Sequence, residues 1–256
     1  MSLATFAFVC EGEQRYPREM NFRDLRENPF TLALSSGFFG FFAHHGFSLA
    51  LKEFGLRPAR VTGASAGAIV AGAWSYGMTS EELLLVLKDL KREKFWDPAI
   101  GFGFLKGAKL ESFLHELFHN REQEIPIAIS TYDIFARKTR SFSEGDLSKI
   151  IRASCAVPLM FHPVKIGARY YLDGGILDKP ALDSVQPGER VLVHYLPRFG
   201  PEKIYENRRA ADLLRQKYVV VSPESLPDVG PNKLDNGLRA MEVAYEHARR
   251  ALSEPS

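Results

Sequence analysis

RPARVTGASAGAIVAGAWSYG, residues 57–77, reads as strand, sharp turn and helix without a break. Residues 57–63 form a short run closed by glycine, and residues 66–77 form a small-residue helix that ends at Gly77. Between them stands G-x-S-x-G, with Gly63, Ser65 and Gly67. A strand that turns directly into a helix forces the serine into a strained conformation. The positions two before and two after must then be small. Such a turn lifts the Ser65 hydroxyl clear of the backbone at a helix N-terminus. A Gly/Ala-rich helix start packed closely on a sheet has the same composition, so the motif alone does not establish catalysis.

Outward from this unit, strands and helices alternate. Residues 30–36 read as a buried strand, and residues 40–54 as a helix ending at Gly55. Thr79 and Glu82 form a capping box for a helix over 80–94. Residues 95–107, FWDPAIGFGFLKG, read as a Gly- and aromatic-rich loop before a helix at 108–120. Strands are expected at 124–133 and 139–146, a helix at 147–154, and a hairpin at 164–175 with Gly167 in its turn. Late strands at 190–196 and 217–223 precede a last helix over 234–252. The start, MSLATFAFVCEGE, has no basic n-region or small-residue cleavage site and reads as a strand, not a signal peptide. The polar stretch 200–216 reads as a mobile connection too short for a domain linker. This alternation predicts an α/β fold: a mostly parallel central sheet between helical layers, α/β/α, as one domain over 1–256.

Composition narrows the function. With 33 basic against 31 acidic residues, net charge +2, there is no electrostatic case for nucleic acid. The basic run KDLKREK, 88–94, reads as the solvated end of a helix. No apolar run reaches the roughly 18 residues that a membrane span needs. Cys10 and Cys155 stand far apart and form no disulfide framework. A cytoplasmic location is expected, with peripheral membrane contact open to it. Oligomeric state is not fixed by these features.

An activated serine needs a base. Asp173 in YYLDGG, 170–175, ends a strand ahead of two glycines, on the sheet edge where α/β sites form. A turn-initiating aspartate has the same local pattern. An acyl-enzyme also needs oxyanion donors. In LSSGFFGFFAHHG, 34–46, the backbone N–H groups of Ser35, Ser36, Gly37 and Phe38 lie between a strand and a helix.

Together these motifs resemble the patatin-like phospholipases. GASAG at 63–67, IPIAISTYD at 125–133, IRASCAVPLMFHPV at 151–164 and YYLDGG stand in that family's order, and the resemblance covers about residues 30–182. It implies a Ser–Asp dyad without histidine, with Ser65 as nucleophile and Asp173 as base. It also implies hydrolysis of phospholipid or acylglycerol esters through an acyl-serine, with no metal or organic cofactor. The oxyanion hole maps onto Ser36, Gly37 and Phe38 within a loop from Ser35 to Gly40. The family's glycine triplet is reduced here to Ser-Ser-Gly, and one extra residue lies between Gly40 and Gly46. Phe39 stands where a basic residue is often found. An arginine there would favour an anionic head group. The triacylglycerol-lipase branch carries apolar residues at this point. Phe39, Phe41 and Phe42 are therefore acyl-pocket candidates, with the aromatic loop 95–105 as a second wall. That loop, with Phe95, Trp96, Phe102 and Phe104, is the expected contact with a lipid surface.

Other arrangements compete. HELFH, 115–119, matches H-E-x-x-H, in which His115 and His119 could bind zinc with Glu116 as base. No further histidine motif follows Asn120, and both rings fall on the flank of an apolar helix face. His194 follows Asp173 in the order of an α/β-hydrolase triad. His44 and His45 lie one turn into the helix after Gly40, and His162 reads as structural. A catalytically impaired lipid-binding protein of the same fold is a further alternative, suggested by the altered loop.

Overall fold

The computed structural model describes residues 22–197 and 218–253. The expected N-terminal strand, Cys10 and the polar stretch 200–216 lie outside the described residues.

The central sheet is built around five parallel strands in the order β10-β9-β1-β2-β4: Tyr218–Val221, Val191–His194, Thr31–Leu34, Arg60–Ala64 and Ile127–Asp133. β8 (Arg169–Asp173) runs antiparallel to the far half of β4, pairing Thr131 with Asp173, and β7 (Val164–Ile166) continues the sheet. β5 (Lys138–Phe142) also pairs antiparallel with β4. The hairpin β7–β8 turns at Gly167, whose φ of +59° lies in the left-handed region open to glycine.

Both sheet faces are buried. Along β1 the side chains alternate. Leu32 and Leu34 join the large core beneath α2 (Phe41–Glu53), α3 (Ala66–Ser75) and the C-terminal helix α7 (Asn236–Ser253). Ala33 packs on the other face with Val191, Val193, Leu182 and Val185. Residues 31–34 are buried throughout, as expected of a strand covered on both faces. The expected α/β fold with a mostly parallel sheet is present.

Helix ends follow local chemistry. α4 (Ser80–Lys88) starts at the expected capping box: Glu82 N–H donates to Thr79 Oγ1 at 3.1 Å, and Thr79 N–H donates to Glu82 Oε2 at 2.7 Å. It ends at Lys88, not near residue 94, and a separate 3₁₀ turn covers Arg92–Lys94. Leu83 and Leu87 are its buried residues, and in the charged run beyond only Leu90 packs against the core. α5 (Ala108–Phe118) and α6 (Leu147–Ser154) agree with expectation; Asp146 caps α6 by accepting Lys149 N–H.

Three elements were not expected. α1 (Phe22–Glu27) precedes the sheet. Within the supposed loop 95–107, β3 (Gly103–Leu105) pairs in parallel with β6 (Leu159–Phe161). Buried Arg152 of α6 holds this second sheet, its guanidinium donating to the carbonyls of Lys106, Gly107 and His162. His162 in turn lies 3.0 Å from the Gly103 carbonyl through Nε2, the structural role expected of it.

Candidate active site

Ser65 sits where β2 becomes α3. Its φ of +52° and ψ of −119° are costly for a residue with a side chain. The turn is possible because its neighbours lack one. A Cβ at Gly63 would meet the backbone of Gly67 and Ala68, and one at Gly67 would clash with the carbonyls of Leu34 and Ser35.

Three further bonds hold the turn. Ser65 N–H donates to Ser154 Oγ at 2.8 Å, and Ser154 Oγ–H donates to the Ser130 carbonyl at 2.7 Å. Cys155 Sγ–H donates to the Ser65 carbonyl at 3.3 Å. Burial pushes the Cys155 thiol pKa well up, so it stays protonated and serves as a buried donor. The strain at Ser65 is thus over-determined from α6.

The Ser65 hydroxyl donates to Asp173 Oδ2 at 2.7 Å. Asp173 is buried at the end of β8, its other oxygen accepting Gly175 N–H at 2.7 Å. The two glycines have steric reasons. A Cβ at Gly174 would strike the Ser130 carbonyl, and one at Gly175 would strike Ser36 Oγ. The elbow, the D-G-G turn and the Ser35–Gly37 segment therefore meet in van der Waals contact.

The segment expected to supply oxyanion donors needs one correction. Ser36 N–H donates to the Lys179 carbonyl at 2.7 Å and is not available to a ligand. The N–H groups of Gly37 and Phe38 have no hydrogen-bond partner among the described residues. The turn closes through Gly40 N–H to the Gly37 carbonyl at 2.9 Å, with Phe39 at a φ of +54°. That strained φ sits beside the unpaired donors.

The acyl-pocket candidates form a row of ring contacts, Phe39 to Phe41 at 5.5 Å and Phe41 to Phe42 at 4.9 Å, but differ in burial. Phe42 is fully buried and covers Gly237 of α7, where a Cβ would meet its ring. Phe41 belongs to the same core. Both are core residues because the first turn of α2 faces inward. Phe39 is partly buried and packs against Phe38 at 4.8 Å and Phe95 at 5.6 Å between ring centroids.

His115 and His119 are exposed on and just past α5, stacked at 4.9 Å, and His119 Nδ1 donates to the His115 carbonyl. No cluster of three metal-ligating side chains occurs among the described residues. His194 is fully buried and contacts His44, not Asp173. His44 is directed at the Ser35 carbonyl.

Sequence reasoning missed Ser130, Ser154 and Arg152 as supports. Ser154 lies within the motif IRASCAVPLMFHPV, but its contact with the Ser65 amide spans 89 positions and leaves no local pattern.

Fold and site define an α/β protein with a serine at a strained strand-to-helix turn, bonded to a strand-end carboxylate. The chain belongs to the patatin-like phospholipase family, whose family model matches residues 32–185. An uncharacterized NTE family protein of Mycobacterium tuberculosis is 31% identical over 162 residues, covering 57% of this chain and 42% of that protein. The uncharacterized protein YqhO of Bacillus subtilis is 26% identical over 164 residues, covering 50% of this chain and 56% of that one. The matched region thus spans about half the length of these relatives. Among solved structures, VipD from Legionella pneumophila is similar in fold, with a TM-score of 0.61 at 16% identity over 88% of this chain and 66% of that one.

Proposed function

We propose that the protein is a serine acyl hydrolase that cleaves carboxylic esters of lipids, phospholipids or acylglycerols, with Ser65 as nucleophile and Asp173 as base. The observation that carries this reading is the 2.7 Å bond from Ser65 Oγ–H to Asp173 Oδ2 at a strained strand-to-helix turn. As Ser65 Oγ attacks the ester carbonyl, Asp173 takes its proton. The oxyanion is stabilised by the unpaired Gly37 and Phe38 N–H groups and the N-terminus of α3. The leaving alcohol takes the proton back. Water, deprotonated by the same carboxylate, then releases the fatty acid and restores Ser65.

The substrate class rests on family membership and on an exposed apolar tip of the second sheet. The β3–β6 tip exposes Ile100, Phe102 (89%), Phe104 and Leu159 (85%). Leu159 lies four residues beyond Cys155, which touches Ser65. We read this tip as the contact with a lipid surface; of the four aromatics expected there, Phe95 is buried and Trp96 packs on a core cluster, which leaves Phe102 and Phe104 exposed. No helix among the described residues is long and apolar enough to cross a membrane. Phe39 in place of a basic residue favours substrates without an anionic head group. Residues 30–182 are read as the working core of one domain.

Turnover of p-nitrophenyl esters of increasing chain length tests the proposal. It should rise with chain length and vanish in Ser65→Ala and Asp173→Asn. Equal rates in wild type and Ser65→Ala remove Ser65 as nucleophile and direct attention to His115 and His119. No turnover in any variant, with lipid binding retained, favours an impaired lipid-binding protein.

A further inference from the structure

His44 and His194 form a fully buried pair behind the oxyanion segment. His44 Nε2 lies 2.8 Å from the Ser35 carbonyl, and His44 Nδ1 lies 2.8 Å from His194 Nδ1. A carbonyl oxygen only accepts, so His44 carries its proton on Nε2. Burial holds the His44 pKa down at about 4 and that of His194 well below its ordinary value, so both rings are neutral near pH 7. His44 Nδ1 is then a bare acceptor, and His194 Nδ1 must carry the hydrogen. This leaves His194 Nε2 as a lone pair, and that atom is buried without a partner among the described residues. The arrangement has one direction: His194 Nδ1–H to His44 Nδ1, then His44 Nε2–H to the Ser35 carbonyl.

His194 holds Ser35 from its other side too. Its carbonyl accepts Ser35 N–H at 3.2 Å, and its ring stacks on Phe47 at 4.2 Å. Leu196 N–H donates to Ser35 Oγ at 2.8 Å, and Ser36 N–H donates to the Lys179 carbonyl. The chain is therefore clamped at Ser35 N–H, Ser35 Oγ, the Ser35 carbonyl and Ser36 N–H, and is first unpaired at Gly37 and Phe38. The His44 bond is the member of this set in which the partner group belongs to another residue's side chain, and it is fixed in donor sense by a second side chain.

We propose that His44 and His194 are positioning residues that fix the Ser35–Ser36 peptide so that the Gly37 and Phe38 N–H groups meet the oxyanion. This inference rests on the serine-hydrolase reading above. Neither ring touches substrate or moves a proton in the reaction. A displaced donor acts mainly on the transition state, where charge sits on the oxygen, and hardly on ground-state binding.

The test compares His44→Gln, whose amide offers one donor and one acceptor, with His44→Leu, which offers neither, on p-nitrophenyl butyrate. Ser65→Ala is the control. In His44→Leu, kcat is expected to fall about 10- to 100-fold with KM within about twofold. A trifluoromethyl ketone, which forms a tetrahedral adduct, should weaken by a similar factor. His44→Gln should recover most of both. If His44→Leu does not fold, His194→Phe takes its place: it keeps a ring against Phe47, removes the donor to His44, and should lower kcat in the same pattern to a smaller degree. Unchanged kcat in the variant tested, or a loss that falls equally on KM and that His44→Gln does not relieve, overturns the positioning role alone. Full turnover by Ser65→Ala overturns the hydrolase reading and this inference with it.

Discussion

Acid should destabilise this fold well before its carboxylates titrate, and His45 gives the sharpest test. The side chain is buried in α2 at 1% exposure, and its Nε2 has no partner among the described residues. Burial, slightly opposed by Glu81, lowers its pKa from 6.5 to about 4. Above pH 6.5 the ring is neutral in both states. As pH falls, the unfolded chain takes the proton first, so stability is lost progressively until the folded ring charges near pH 4. At about 1.4 kcal/mol per pKa unit the whole effect is about 3 kcal/mol, of which about 2 kcal/mol falls between pH 7 and 5. His44 titrates in the same window with the same sign. Glu82, held at about 2 by Arg121, loses its contribution only below that window. The buried Asp178 carboxyl has a raised pKa and works in the opposite direction, but it is common to both proteins compared. Urea unfolding of wild type and His45→Leu at pH 7 and pH 5 measures the difference. The variant should lose about 2 kcal/mol less than wild type over that interval. Equal losses in the two proteins would refute the reasoning.

Two further outcomes follow from the supports of the elbow and from the exposed apolar tip. Ser154→Ala leaves the partly buried Ser65 N–H unpaired. It should lower stability by about 1–3 kcal/mol in urea unfolding and kcat by about 10- to 100-fold. Phe102→Asp with Leu159→Asp should weaken binding to phosphatidylcholine vesicles at least about tenfold, since each exposed side chain would otherwise bury about 1.5–3 kcal/mol of apolar surface. Hydrolysis of a short soluble ester should be unchanged. Equal vesicle binding in a sedimentation assay counts against the contact surface.

The parts of the site that sequence conveyed are those in which a residue type is required at a fixed offset from the reacting side chain. Gly63 and Gly67 flank Ser65 because a Cβ at either would strike backbone; after Asp173, a Cβ at Gly174 would strike the Ser130 carbonyl and one at Gly175 the Ser36 side chain. The constraint at Gly63 is local and those at Gly67, Gly174 and Gly175 come from distant segments, but each demands a glycine at a fixed offset from Ser65 or Asp173 and so leaves a local pattern. The Thr79–Glu82 capping box is legible on the same ground. What stayed hidden depends on register between distant segments. Ser154 reaches the Ser65 amide only because α6 packs beside the elbow, and His194 meets His44 only because β9 pairs with β1. β3 and β6 are three residues each, and β3 starts with a glycine, so neither shows a strand pattern until paired. The phenylalanines after Gly37 were ambiguous because composition does not say which side of α2 faces α7. Phe42 covers Gly237, while Phe39 stays at the turn.

Covalent trapping tests the central claim most directly. The protein is treated with a long-chain alkyl fluorophosphonate and the modified residue is located by tandem mass spectrometry. A single adduct on Ser65, formed in wild type and lost in Asp173→Asn with the fold intact, is the result expected from a Ser65–Asp173 dyad. An adduct on another residue, or unmodified Ser65 in protein that still hydrolyses the ester, would contradict it.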